Sequence, residues 1–315
     1  MNPNPILNDV VAAFGLVANS KPVEVSIDRS GVILPQGGHF QGIQWFPEQA
    51  LLVITSDSNY EAYFVACKMT SDEQNGRARA PVTMSWYFKH CGGCQSFGNV
   101  LVAGVEDPDK NQTSEVQFWD FTRFPVQLVQ MTIPRSGPEK VSTAGAVGMT
   151  THGRGAVLAV ASYDARTLDF YTSERDPFHG SPFDLRLTWT AEGADKSNWI
   201  DDNFGAYQNI NLLTQKDGQL FLVAFHRNDS DEDWMDLFAI KLDVDPSSAL
   251  TKVDRKHMYC TLGCDFDKGA GIFIESSDVF KVLAVNGSSG DHRDGTTIHA
   301  NIFNPQPDSD RVTTG

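Results

Sequence analysis

His39-Phe-Gln-Gly-Ile-Gln44, His90-Cys-Gly-Gly-Cys-Gln95, Thr143-Ala-Gly-Ala-Val-Gly148, Ala206-Tyr-Gln-Asn-Ile-Asn211 and Gly269-Ala-Gly-Ile-Phe-Ile274 are five versions of one short segment, and their first residues stand 51, 53, 63 and 63 positions apart. Each opens a block that reads as apolar strand, tight turn, apolar strand, polar loop, strand, loop, strand. A period of about 40–60 residues with several strands per unit is the mark of sheets repeated around a ring.

Working outward, unit one gives strands at 40–46, 50–55, 61–68 and 82–89. Unit two gives 92–97, 99–105, 115–121 and 125–132, and unit three 144–151, 156–162, 167–172 and 184–190. Unit four gives 208–214, 219–225, 236–242 and 252–259. The last strand of unit one, Val82-Thr-Met-Ser-Trp-Tyr-Phe88, alternates as a half-buried strand does. The first two strands of a unit are joined by turn formers such as Phe97-Gly-Asn99 and Lys216-Asp-Gly218. The second strands, such as Leu51-Leu-Val-Ile54 and Leu220-Phe-Leu-Val-Ala-Phe225, are nearly continuous apolar runs, as expected of strands covered on both faces.

Unit five supplies only 269–275, 280–286 and 296–303, while an unassigned strand, Val23-Glu-Val-Ser-Ile-Asp28, stands near the other terminus. In this arrangement residues 22–303 resemble the β-propeller superfold, whose ring is commonly closed by a strand from one terminus. The resemblance is architectural. It implies an all-β fold of five blades with four antiparallel strands each, closed by the N-terminal strand. A helical segment at 1–21 would precede the ring, and a disordered polar tail at 304–315 would follow it.

The chain has 315 residues, 41% of them hydrophobic and 20 of them Phe, ample for a large core without disulfides or metals. Its 40 acids against 25 bases give a net charge of −15, which argues against nucleic-acid or anionic-membrane partners and for a soluble monomer. The apolar stretch Val10–Ala18 follows Asp9 and has no basic region before it, so it reads as a helix folded on the body and not as a signal peptide. Five cysteines form an odd set, read as reduced thiols in a cytoplasmic compartment.

In a propeller, the loops leading into each inner strand and those leaving each second strand open on one face around the axis. The first kind carry His39, His90, Thr143, Tyr207 and Asp265 or Asp267. The second kind carry Asp57, Asn59, Glu106, Asp107, Tyr163, Asp164, His226, Arg227 and the run Asp291-His-Arg293. His39 and His90 hold equivalent places in adjacent units. They can share a divalent metal or act as acid and base near neutral pH, or simply cap their strands. Tyr163, Asp164 and His226 are candidate helpers, and Asp57, Glu106, Tyr207, Gln44 and Gln95 candidate ligand contacts. The two glutamines equally suit hydrogen bonds between blades.

The five-bladed ring also hosts glycoside hydrolases, which need two carboxylates flanking the scissile bond. The inner strands of units one to three hold none, leaving Asp57, Glu106 and Asp164 in the outgoing loops as the alternative source. Cys91-Gly-Gly-Cys94 and the group His257, Cys260 and Cys264 resemble half zinc sites but fall on opposite sides of the ring. A lectin with one site per blade would repeat its contacts, whereas the anchors here read His, His, Thr, Ala, Gly. The expectation is one pocket for a small-molecule or carbohydrate ligand, in an enzyme of hydrolase, lyase or isomerase type. A non-catalytic lectin-like or protein-binding propeller is the rival reading.

Overall fold

The computed structural model describes residues 4–107, 112–287 and 296–306. Its antiparallel pairings divide the strands into five groups. The first runs Phe40–Phe46, Leu51–Ser56, Ala62–Met69, Val82–Ser85 from inside outward. The second runs His90–Phe97, Val100–Glu106, Thr113–Asp120, with its outer edge split between Val126–Gln127 and Ile133–Ser136. The third runs Ala146–His152, Gly155–Ala161, Thr167–Ser173, Asp184–Thr190, and the fourth Asn209–Thr214, Leu220–Arg227, Asp233–Ile240, Leu250–Met258. The fifth is Cys264–Ile274, Phe280–Asn286, Thr297–Phe303 and, as its outer strand, Val23–Asp28. The inner strands stand side by side, with Gly42 beside Ala270 and Gly93 beside Ala146. The molecule is a β-propeller.

The second strands are the load carriers of the core. Leu51–Ser56, Val100–Glu106 and Gly155–Ala161 are buried at every position, because a neighbouring blade covers each face. Burying one such aliphatic side chain contributes ~1.5–3 kcal/mol. Ring closure follows the expected pairing in full register, from Val23 opposite Ile302 to Asp28 opposite Thr297.

Four features depart from the sequence reading. A short strand, Asn75–Ala78, pairs with Ala62–Met69 and also, in parallel, with Val23–Asp28, so the seam is sewn to blade one as well as blade five. The strand expected at 125–132 is broken by a turn at Val129–Met131, with Pro125 and Pro134 bounding the region; proline cannot donate to a sheet ladder. The inner strand of blade five begins at Cys264 and carries a register shift between Asp265 and Ala270. The tail expected to be disordered from residue 304 is ordered through Gln306: Ala18 N donates to Asn304 O at 2.9 Å and Gln306 N to Leu16 O at 2.7 Å. Residues 307–315 and Asp291-His-Arg293 lie outside the described residues.

The N-terminal helix Val10–Leu16 starts at Asp9, whose carboxylate accepts from Ala12 N at 2.9 Å. Its last turn is held by Lys256 Nζ, which donates to the carbonyls of Phe14, Gly15 and Val17 at 2.9, 3.0 and 2.6 Å. Val10, Ala13 and Phe14 enter a core shared with blades four and five. Just before the helix, Asn4 bonds Ser96 O and Gly98 N, Leu7 N donates to Thr214 O, and Asn8 N to Ser277 O. These partners lie at the inner hairpin turns of blades two, four and five, so the segment crosses one face of the ring and leaves the opposite face open. Among the described residues, no helix is long and apolar enough to cross a membrane.

Candidate functional site

On the open face a cavity of about 260 Å³ receives side chains from each of the five strand groups: His39, Gln41 and Asp57 from the first, His90 and Glu106 from the second, Ser162, Tyr163 and Asp164 from the third, Tyr207 and Gln208 from the fourth, and Lys268 from the fifth.

The chain reaches His39 through Gly37 and Gly38, both at positive φ (78° and 82°). A Cβ on Gly38 would stand 2.2 Å from Asp57 O, so only glycine permits this close approach. The approach sets the Asp57 carboxylate on the backbone N–H of His39, with His39 Nδ1 3.5 Å from the second oxygen. Burial alone would raise the Asp57 pKa. The hydrogen bond from His39 and the charge of His90 outweigh it, and the carboxyl is held below its ordinary 3.8.

His90 begins the inner strand of blade two, and its Nδ1 lies 3.0 Å from Glu106 Oε1. Glu106 Oε2 accepts from Ala144 N at 2.6 Å, tying this carboxylate to blade three. Burial works against a charged imidazole here, but the hydrogen bond and charge of Glu106, aided by Asp57, prevail and raise His90 above its ordinary 6.5. Both histidines therefore turn Nδ1 to a carboxylate, leaving Nε2 as the nitrogen available to the cavity. Lys268, whose Nζ lies 3.8 Å from Asp267 Oδ2, adds an ammonium group to the lining.

On the third blade, Tyr163 N donates to Thr143 Oγ1 at 2.8 Å, and Asp164 Oδ1 accepts from Gln208 Nε2 at 2.9 Å. Asp164 and Ala165 both adopt left-handed backbone (φ 52° and 54°), a costly conformation for alanine. Below the cavity, Asn209 Nδ2 donates to the carbonyls of Gln41 and Lys268, binding blade four to blades one and five.

The structure thus brings seven of the ten expected residues to the cavity: His39, His90, Tyr163, Asp164, Asp57, Glu106 and Tyr207. Tyr207 contributes its ring, because its hydroxyl is committed to Asp236 and burial beside that carboxylate keeps the phenol far from ionising. His226 does not line the cavity. It packs edge-on against Tyr207 at 5.1 Å and stands 3.6 Å from Asp236, in a buried group completed by Lys252 and Arg255.

The assignment of Gln44 and Gln95 as ligand contacts is corrected as well. Both are buried and spend their amides between blades: Gln44 Nε2 donates to Cys94 O at 3.0 Å, while Gln95 donates to Leu212 O and accepts from Leu212 N and Met149 N. Gln41, Ser162, Gln208 and Lys268 were missed. Lys268 lay hidden behind the neighbouring acids Asp265 and Asp267; the bulge brings the lysine to the cavity while Asp265 pairs with Arg227 at 3.1 Å.

Cys91 and Cys94 flank a bulge of their own and are buried thiols with separate neighbours, Met84 Sδ at 3.4 Å and Thr55 Oγ1 at 3.8 Å. Burial pushes the Cys94 thiol up to about 12. Among the described residues, no group of three or more His, Cys, Asp or Glu is arranged to hold a metal ion.

No protein-family model matches the chain, and no curated protein does. Solved structures do. An endo-arabinase from Bacteroides thetaiotaomicron superposes with a TM-score of 0.52 at 9% identity, covering 91% of this chain and 98% of that one. A fructofuranosidase from Schwanniomyces occidentalis, solved with fructosylnystose, gives 0.53 at 10% identity, covering 92% of this chain and 64% of that one. At such identities the likeness is one of fold, and the class it defines is the β-propeller.

Proposed function

We propose that this propeller is an enzyme acting on a small polyhydroxylated, carbohydrate-like substrate by acid–base chemistry in a single cavity on the axis of a five-bladed ring. The observation that carries the reading is the pair of histidine–carboxylate couples, His39–Asp57 and His90–Glu106, opening on one cavity. In this reading His90, whose protonated form Glu106 favours, is the acid that delivers a proton from Nε2 to a leaving or carbonyl oxygen. His39, the more exposed of the two at 36% against 17%, takes the proton from water or from the substrate. Asp57 orients His39 and balances the charge that forms on it.

Hydroxyls of the substrate find acceptors in Asp164 and Gln41 and donors in Lys268 and Ser162. The propeller likeness to an endo-arabinase and a fructofuranosidase supports a sugar as the ligand class. Two-carboxylate glycoside hydrolysis is the second reading, supported by the same likeness and by three carboxylates, Asp57, Glu106 and Asp164, in the cavity lining. A lectin-like binder with one site per blade fits less well, because the histidine–carboxylate couple is presented by the first two blades and not by the others.

The test is a turnover screen of the full chain against aryl glycosides, sugar lactones and sugar acids, followed by His39→Gln and His90→Gln on any substrate found. Loss of roughly 100-fold or more in kcat, in variants that remain folded at the assay temperature, is the expected result. Full activity in both variants would refute the assignment.

A further inference from the structure

Two turns beside the cavity hold aromatic rings out in solvent. Trp86 is 72% exposed, Tyr87 68% and Tyr60 60%. Tyr60 follows the cavity residue Asp57 by three positions, while Trp86 and Tyr87 precede His90 by four and three. At ~3.3–3.6 Å per residue, each backbone lies within roughly 14 Å of a residue that lines the cavity.

The turns are well held. Ser85 Oγ accepts from Tyr87 N at 3.1 Å and Phe88 N at 2.9 Å, and Phe88 itself is buried in the core between blades one and two. Ser58 Oγ accepts from Tyr60 N at 3.1 Å and Glu61 N at 2.9 Å. Ala62 N and Ser58 N donate to the carbonyls of Phe88 and Lys89 at 3.0 and 3.2 Å, so each turn braces the other. Tyr87 is further steadied edge-on against Phe88, with ring centroids 4.9 Å apart.

Single exposed aromatics are ordinary on a protein surface. Here three stand together on two mutually bonded turns, each three or four residues along the chain from a side chain that lines the polar cavity. A ligand suited to both parts has hydroxyls for the cavity and apolar C–H faces for the rings, which is the chemistry of linked sugar rings. A protein partner is the poorer match, since three rings supply only a fraction of the ~800 Å² per side of a standard protein interface. We propose that Tyr60, Trp86 and Tyr87 bind the outer units of an oligosaccharide whose terminal unit occupies the cavity. This rests on the reading of the cavity as a carbohydrate site.

The experiment is titration calorimetry of the full chain with linear oligosaccharides of one to six units, in furanose and pyranose series. Affinity should rise with length over the first units. Trp86→Ala and Tyr87→Ala should each weaken binding of the longer members about three- to tenfold, leaving the single unit and the melting temperature unchanged. Rim variants that bind every length like the parent, while His90→Gln loses binding, would overturn the rim and leave the cavity reading standing. If no member of either series binds the parent, both fall. A dimer of the parent chain that Trp86→Ala dissociates in sedimentation would assign the rim to a second copy and overturn the proposal.

Discussion

Glu106 serves His90 with one oxygen, 3.0 Å from Nδ1, and Ala144 N with the other, at 2.6 Å. One carboxylate thereby sets the charge of an imidazole in blade two and fixes the loop that leads into blade three. The protonation of the cavity and the spacing of two blades are mechanically the same object.

The folded pKa of His90 is raised above 6.5. Its stabilising effect is therefore complete below about pH 6.5 and is lost as pH rises through the folded value. Melting temperature should fall across that interval, and Glu106→Gln should remove this slope while costing about 1–3 kcal/mol at pH 6. Thermal melts from pH 5 to 9, with the imidazole followed by NMR, check both statements.

Asp57 behaves with the opposite sign. Its pKa is held below 3.8, so its contribution is present above that value and disappears as pH falls through the folded pKa. Asp57→Asn should be less stable than the parent at pH 6 by about 1–3 kcal/mol, and the gap should close toward pH 2. Urea midpoints along an acid series measure the gap; a constant difference would contradict the ion-pair account.

Gln95 exchanges three hydrogen bonds with Leu212 and Met149 from a fully buried position. Gln95→Leu strands these backbone groups without partners, at about 1–3 kcal/mol for each one left unsatisfied. Stability measured in urea should drop accordingly, while ligand affinity at the cavity stays near that of the parent. Lost affinity at full stability would return Gln95 to the ligand contacts.

The fold was legible because the blades obey local rules. Strands covered on both faces must be apolar throughout, and Leu51–Ser56 and Gly155–Ala161 are. A ring with three strands in its last blade needs a fourth, and Val23–Asp28 was available. The site was legible where a residue's place at the end of a strand, or in the loop beside it, determines direction, as for His39, His90, Asp57 and Asp164. Beyond that, nonlocal packing decided. His226 sits at the end of its strand as expected, but Tyr207 and Asp236 claim it from the side. Lys268 reaches the cavity through a bulge, and nothing in its neighbourhood announces that register shift. Asn75–Ala78 is short, polar and without alternation, and is held as a strand by its two neighbours, Ala62–Met69 and the seam strand.

The register of the seam also decides how the ring meets a mechanical load. Val23 lies opposite Ile302 and Asp28 opposite Thr297, so the chain enters and leaves this strand pair at the same end, next to the Val17–Pro305 bridge. A force drawing the two termini apart acts on one rung at a time instead of shearing all of them together. The ring should accordingly yield to tension at its ends far more readily than its buried second strands yield to heat.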